Sequence, residues 1–446
     1  MVAKTTRRSR HRHLLNVWMN GQLVGTWTVR DNKRHQFRYA QEWIDSDASR
    51  IMSLSLPFIP GNLHEGAVVE NFFDNLLPDN REIRQRLQRK FGANSPQAFD
   101  LLAEIGRDCV GAIQLLPDSD VPEGWNKITA TPLSEQQVET ILRTTVTAPP
   151  GDQNDTDFRI SIAGAQEKTA LLWHNGQWHK PNSATPTTHI LKLPLGLVGG
   201  RRADMRTSVE NEWLCAKVMA AYGLDVAHCE IGTFGEEKAL VVERFDRRKA
   251  PDGDYWLRLP QEDMCQATGT PPSTKYEADG GPGMKAVLEL LRGSLRQDQD
   301  RRTFFKAQIL FWMLAAIDGH AKNYSIFLER GSTYRMTPLY DVLSAWPVVG
   351  TGPNHLSRHD VKMAMAWRAK NAHYRRIDVQ RRHFNEVAAK LGIGKDAEEI
   401  IEELLDSTPG VITDVERLLP KDFPVDVAEA IFRGLEDSVQ MLKSQH

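Results

Sequence analysis

The stretch "RRTFFKAQILFWMLAAI", residues 301–317, is apolar almost all round, and at once it runs into Asp318-Gly319-His320-Ala321-Lys322-Asn323 and then "YSIF". A helix with no polar face has to be buried in the core of a sizeable domain. Placing four polar side chains in six positions at its end costs desolvation unless they are used. Either these residues form a polar turn, or the buried helix exists to hold them at one place.

The surrounding chain supplies the volume such a helix needs. With 446 residues it exceeds one small core, and two or three subdomains are expected. "LLNVWMNGQLVGTWTV" alternates around Asn20-Gly21, a hairpin signal, and "FRYAQEWI" and "IMSLSLPF" continue as strand-like runs. "NFFDNLLPDNREIRQRLQRKFG" is helical in period with a stop at Gly92, and "CVGAIQLLP" reads as a strand. Residues 1–130 are therefore read as a mixed, β-rich N-terminal subdomain. "TVTAPPGDQNDTDFR" is a connection.

Residues 131–250 then give a hairpin in "ISIAGAQEKTALLWHNGQWHK", a strand in "THILKLP", a helix in "SVENEWLCAKVMAAYGL", and strands in "HCEIGTF" and "KALVVERFDRR". A small sheet with one helix laid on it suits a nucleotide-covering lobe. Residues 251–446 are mostly helical: "QEDMCQATG", "GMKAVLELLRGSL", the opening helix, "RRHFNEVAAKLG" and "DAEEIIEELLDS". The fold class is α+β: a sheet-rich lobe followed by a helical one, with an extra N-terminal subdomain in front.

Bulk properties exclude some functions. A net charge of −2 and a pI near 6.7 argue against coating nucleic acid by electrostatics alone. The four cysteines, Cys109, Cys215, Cys229 and Cys265, are far apart and suit buried thiols in a reducing cytoplasm. No stretch approaches the about 20 apolar residues of a membrane span. The basic start "TTRRSRHRH" has no apolar run behind it, so a solvated arm is expected rather than a signal peptide.

A turn about Gly331 and Ser332 sets "YSIFLE" against "YRMTPLYDV", with Asn323 facing Tyr340, next to Asp341. Paired strands lie about 4.8 Å apart, so Asn323 and Asp341 can share an ion beside Asp318. One carboxylate, an amide oxygen and phosphate oxygens suit Mg²⁺. Asp followed by Asn at the fifth position is also the spacing of a kinase catalytic loop. Alone, D-x-H-x-x-N fits a polar turn equally well.

Lys192 stands in the apolar strand "THILKLP", where an unpaired ammonium is costly, and Glu212 on the next helix is its candidate partner. A snorkelling lysine is the alternative. In "SIAGAQEK" the flexible Gly164 permits backbone approach to phosphate, or makes an ordinary hairpin. Glu243, Arg244 and Phe245 end a strand where backbone groups can read an adenine edge. His355 and His359 have i,i+4 spacing, but Leu356 stands where a zinc protease needs glutamate. "HYRRIDVQRRHF" reads as a solvated helix face, with a phosphate-contact patch as the alternative.

Taken together, "FRISIAGAQEKTALL", "PTTHILKLP", "LVVERFDRR", "LRLPQEDMCQ", "KYEADGGPG", "DGHAKNYSIF" and "TPLYDVLSAWP" resemble the HipA family of bacterial toxin kinases. "NFFDNLLPDN" and "LLAEIGRDCVGA" extend the resemblance over essentially the whole chain. It implies a two-lobed protein-kinase-like fold and an ATP- and Mg²⁺-dependent serine/threonine protein kinase, the toxin of a toxin–antitoxin pair linked to growth arrest and persistence. Asp318 would be the catalytic acidic residue, and Asn323 and Asp341 the metal ligands. The nucleotide would meet Ala163, Gly164, Ala165, Gln166, Glu167, Lys168, Lys192, Glu243, Arg244, Phe245, Gln261, His320, Lys322, Asn323, Tyr340 and Asp341. Ser161 matches the serine that family members autophosphorylate.

The implied partners are a HipB-like helix-turn-helix antitoxin, operator DNA bound mainly through it, and a protein substrate, glutamyl-tRNA synthetase in the best-known case. Direct DNA contact would fall to Lys390 or Lys395, because Ala389 and Gly392 stand where basic residues are expected. Two other readings remain open from the motif: a lipid or small-molecule kinase, and a nucleotide-binding co-repressor without turnover.

Overall fold

The computed structural model describes residues 13–147, 166–199 and 203–445. The basic arm, Ser161, Ala163, Gly164 and Ala165 lie outside the described residues, as does most of the connection expected over 145–159. That connection is still helical through Thr147, the end of helix Glu135–Thr147.

The N-terminal part is a five-stranded antiparallel sheet in the order Leu63–Glu65, His35–Tyr39, Gln22–Val29, Leu14–Met19, Ile113–Pro117. Asn20 and Gly21 both adopt positive φ (44° and 80°), as the tight two-residue turn between Met19 and Gln22 requires. Helices Ala67–Asp74, Arg81–Phe91 and Ala98–Ile105 cover one face. Trp27 stacks on Phe73 at 4.0 Å between ring centroids, with Leu15, Val17 and Phe37 fully buried around them. Gly92 ends Arg81–Phe91 in the left-handed conformation, as its sequence position suggests.

"IMSLSLPF" does not form the expected strand; it makes only an isolated bridge between Ser53 and Leu56. Its polar groups go elsewhere. Leu54 N–H donates to Glu262 Oε1 (2.8 Å), and Ser53 Oγ lies against Glu262 Oε2. Burial, opposed by these contacts, pushes the Glu262 carboxyl up to about 8. Neutral Glu262 can donate to Ser53 Oγ, which in turn reaches Gln266 O (3.3 Å).

The linkage has a definite sign. A folded-state pKa raised above the unfolded value makes stability fall as pH rises from about 4.5 to about 8. Glu262→Gln keeps the donor and acceptor but cannot ionise. Its melting temperature should match wild type near pH 5 and exceed it at pH 9, by on the order of 1–3 kcal/mol in stability. Parallel melting curves across that range would contradict the assignment.

The second sheet has six strands in the order Cys229–Phe234, Glu237–Glu243, His189–Lys192, Lys168–His174, Gln177–Pro181, Ala130–Pro132. Helix Ser208–Ala221 packs on strands Cys229–Phe234 and Glu237–Glu243, but its buried side chains belong to the same core as the C-terminal helices. Cys229, Leu240 and Val242 of those strands join that interior, whereas Leu171, Leu191, Phe234 and Ala239 of the sheet pack with Val138 and Leu142 in a separate cluster.

Helix Gln297–Leu314 runs through that interior, with Phe304, Phe305, Ile309, Leu310, Trp312 and Leu314 fully buried. It stops at Leu314, where Ala315 turns left-handed (φ 49°), so Asp318 sits in the following turn and not on the last helical residue. Helices Arg381–Leu391, Glu398–Glu416 and Val425–Lys443 surround it. The second of these continues through Pro409, past the end read from "DAEEIIEELLDS".

"QEDMCQATG" splits into strand Gln261–Asp263 and helix Met264–Ala267, because Asp263 and Gln266 form a capping box. "HYRRIDVQRRHF" is not one helix face either. It spans the end of strand Ala372–Arg375, a short 3-10 turn and the start of Arg381–Leu391. Of its arginines, Arg376 packs between Trp312 and Trp346, and buried Arg381 pairs with Glu398 and Glu402.

Candidate active site at the junction of the two halves

A pocket of about 190 Å³ opens between the six-stranded sheet and the loop after the buried helix. Ile190, Ala227, Val242 and Leu343 supply its apolar wall. Lys168, Lys192, Asp318, His320, Asn323 and Asp341 line the polar end.

The ribbon after the loop delivers Asn323 and Asp341 by a route slightly different from the expected one. Strands Ser325–Leu328 and Tyr334–Met336 pair Leu328 with Tyr334, which centres the turn on Gly331 and shifts the register by one residue. The ladder ends at Met336. Asp341 reaches the pocket through its own left-handed backbone (φ 62°), a conformation that costs energy for a residue with a Cβ. Tyr340 anchors it by donating to Lys322 O (2.8 Å) and meeting Ser325 Oγ (2.5 Å). Asn323 Nδ2 donates to Asp318 O (2.8 Å) and reaches Asp341 O (3.5 Å), so its amide oxygen is the atom left to face a cation.

Lys192 ties three parts of the site together. Its ammonium donates to Glu212 Oε1 at 2.5 Å and to Asp341 Oδ1 at 2.7 Å. Burial opposes the charge on Lys192, but the Asp341 and Glu212 carboxylates outweigh it and hold the ammonium protonated. Burial likewise pushes Asp341 up, yet Lys192 and Lys168 hold it well below the usual carboxylate range. Lys168, drawn down to about 8 by burial and by Lys192 against the pull of Asp341, completes the cationic side.

Asp318 stands at the mouth, its side chain more than half exposed. It accepts a short hydrogen bond from the Tyr276 hydroxyl. His320 is buried beneath it, and burial lowers its pKa despite the nearby Asp318 carboxylate, keeping the imidazole neutral. His320 Nδ1 and Gln261 Oε1 are buried polar atoms without a hydrogen-bond partner, and both residues line the pocket. Such atoms await a polar occupant.

Among the described residues, no group of three or more His, Cys, Asp or Glu side chains is arranged to hold a metal. Asp341 with Asn323 offers the one or two oxygens Mg²⁺ takes when phosphates fill the rest of its shell. The residues fit that ion.

Of the expected nucleotide contacts, Gln166, Glu243, Arg244, Phe245 and Lys322 line the pocket while their side chains hold other neighbours. Arg244 lines the pocket, and its guanidinium is buried against Asp108, Asp246, Thr187 and the Cys109 carbonyl. Glu167 pairs with Arg86 of the N-terminal part. Gln166 donates to the Leu193 carbonyl. Lys322 uses its three ammonium hydrogens on Asp79 Oδ1 (2.9 Å), Asn75 Oδ1 (3.1 Å) and Asn75 O (3.2 Å), leaving none for phosphate. Glu243 faces solvent near His228, and Phe245 lies edge-on to Phe327 and tilted to Tyr340.

Away from the pocket, Lys390 donates to the carbonyls of Arg368 and Ala369, whereas Lys395 extends into solvent. Sequence reasoning gave no role to Asn75, Leu76, Asp79, Asp263, Lys275 or Tyr276, all at or beside the pocket. "NFFDNLLPDN", "LRLPQEDMCQ" and "KYEADGGPG" carry them; the cue in the first and last was a Pro-Asp turn after an apolar helix and a lysine beside a tyrosine.

A slot between a β-sheet and a helical half, with a strand lysine paired to a helix glutamate and an Asp-x-x-x-x-Asn loop, is the arrangement of a kinase. A family model described as HipA-like C-terminal domain matches residues 160–412, and one described as HipA N-terminal domain matches residues 15–116. The chain belongs to the HipA family. It is 35% identical over 361 residues to a protein named putative kinase Y4mE of Sinorhizobium fredii, covering 79% of this chain and 82% of that one. It is 31% identical over 290 residues to the serine/threonine-protein kinase toxin HipA of Shewanella oneidensis, covering 62% and 63%. The solved assembly of Shewanella oneidensis HipA with HipB and operator DNA contains a chain of the same fold, with a TM-score of 0.76 over 96% of this chain and 97% of that one at 23% identity.

Proposed function

We propose that this protein is an ATP- and Mg²⁺-dependent serine/threonine protein kinase, acting as the toxin of a type II toxin–antitoxin pair in the cytoplasm. The observation that carries the reading is the meeting of Lys192, Asn323 and Asp341 beside the exposed carboxylate of Asp318. The Tyr276 hydroxyl on Asp318 occupies the kind of position an acceptor hydroxyl takes, donating its proton toward the carboxylate. Asp318 would align and deprotonate a serine hydroxyl. Lys192, fixed by two carboxylates, would meet phosphate oxygens with little reorganisation. Asn323 and Asp341 would hold Mg²⁺, which when bound neutralises charge on the phosphates. Backbone groups at Glu243 to Phe245 and the unpartnered Gln261 and His320 atoms would orient the nucleotide.

Kinship with a protein named as a serine/threonine kinase toxin supports a protein acceptor over a lipid one. The finer reading places glutamyl-tRNA synthetase as the target, translation and growth arrest leading to persistence as the outcome, and Ser161 as a site of self-modification that silences the enzyme. The relative's assembly with HipB and operator DNA supports a helix-turn-helix antitoxin partner and co-repression. Because Lys390 is turned toward carbonyls, contact with DNA would run mainly through that partner.

The test is transfer of label from γ-labelled ATP. Label should enter purified glutamyl-tRNA synthetase and Ser161 of the chain itself, and vanish on chelation. Label recovered in a lipid extract, or ATP bound but never consumed, would replace this reading.

A further inference from the structure

The N-terminal part does more than flank the pocket. Asp79, in the turn between helices Ala67–Asp74 and Arg81–Phe91, receives Lys275 Nζ at 2.8 Å on one carboxylate oxygen and Lys322 Nζ at 2.9 Å on the other. Its side chain is almost enclosed, at 13% exposed. The two lysines belong to the two segments that frame the catalytic loop. Lys275 precedes Tyr276, whose hydroxyl donates to Asp318. Lys322 precedes Asn323, and its carbonyl accepts from Tyr340, beside Asp341. Ala321 N–H donates to Lys275 O (3.4 Å), closing the ring of contacts.

Neighbouring bonds fix the turn against the C-terminal half. Asn71 Nδ2 donates to Gly269 O (2.8 Å) and Asn75 Nδ2 to Thr270 O (2.9 Å). Burial alone would raise the Asp79 carboxyl, but Lys322 and Lys275 together hold it at about 2, so it remains charged throughout the working range of a kinase.

We propose that Asp79 is a positioning residue for phosphate transfer: one carboxylate from the N-terminal sheet domain sets Asp318 through Lys275–Tyr276 and Asn323 through Lys322. The inference rests on the kinase reading. It makes the N-terminal part a component of the active site, with Asp79 acting through the two lysines.

The experiment measures kcat and KM for ATP in full-length wild type, Asp79→Asn and Asp79→Glu, with melting temperature and binding of a fluorescent ADP analogue alongside. Asparagine keeps the size but can accept from only one lysine, leaving the other ammonium opposite an amide donor. Misplacing reacting groups by a fraction of an ångström lowers turnover more than affinity. Asp79→Asn should lose about tenfold or more in kcat, with KM for ATP and analogue binding within about threefold of wild type. Asp79→Glu should recover a substantial part of kcat.

Turnover of Asp79→Asn within about twofold of wild type would overturn the inference and leave the kinase reading standing. So would a loss that Asp79→Glu fails to relieve and that tracks melting or analogue binding, since that is purely structural support. A wild-type chain that consumes no ATP would overturn the kinase reading, and this inference with it.

Discussion

Asp318→Ala should lower phosphate transfer by on the order of 10²- to 10⁴-fold, the usual contribution of a positioned general base. The fold should survive, because Asp318 is exposed at the pocket mouth and carries no part of the core. Its loss frees the Tyr276 hydroxyl and removes one polar neighbour of the buried His320, leaving the apolar core contacts intact. Analogue binding should therefore persist while turnover collapses, since Lys192, Asn323 and Asp341 are untouched. The measurement is label transfer under single-turnover conditions, with the melting curve as a control on folding. Undiminished transfer would take Asp318 out of the chemistry.

The second large effect is on stability. Asp108→Ala should cost about 3–5 kcal/mol, the scale for removing one partner of a buried ionic group. Asp108 accepts from Thr187 N (3.1 Å) and Oγ1 (2.7 Å), from Arg247 Nη2 (3.0 Å), from Arg258 Nη2 (3.0 Å) and Nε (3.2 Å), and more weakly from Arg244 Nη1 (3.3 Å). All three guanidiniums are buried, and the other carboxylate that meets them is Asp246, which binds Arg244 and Arg247. Losing Asp108 leaves Arg258 with the Ala184 carbonyl and, among the described residues, no carboxylate in contact.

Gly111, in the same loop, has no room for a side chain: an added Cβ would lie 2.8 Å from Gln261 O. The loop lies directly against Gln261, a residue of the pocket lining. Denaturant titration and soluble yield test the prediction, with Asp108→Asn as the milder comparison because it keeps an acceptor. A midpoint within about 1 kcal/mol of wild type would mean that the arginines find other partners.

Local patterns carried much of this architecture. The Asn20-Gly21 turn, the Gly92 stop and the buried helix before Asp318 are written in short-range chemistry: positive φ, capping and apolar periodicity. Lys192 and Glu212 could be paired because a lone ammonium in an apolar strand demands a partner. What stayed hidden was the seam. "IMSLSLPF" alternates like a strand, yet its hydrogen bonds go to Glu262, more than 200 positions away. The Arg244 guanidinium and the Lys322 ammonium, in segments read as nucleotide contacts, each also meet a carboxylate of the N-terminal part, Asp108 and Asp79. Long-range polar pairing has no period, so one sequence read in windows does not reveal it. The register error at Gly331 is of another kind, since turns of adjacent lengths share the same residue types.

The separation of Asp108 from its arginines has a temporal side. As the chain leaves the ribosome, the first sheet and its aromatic interior can form from residues already made. Asp108 must then stay hydrated until Arg244, Arg247 and Arg258 emerge, and Asp79 stands ready well before Lys275 and Lys322 arrive. The growing polypeptide thus carries a preformed half-socket, which closes only after the later segments have been translated and docked onto it.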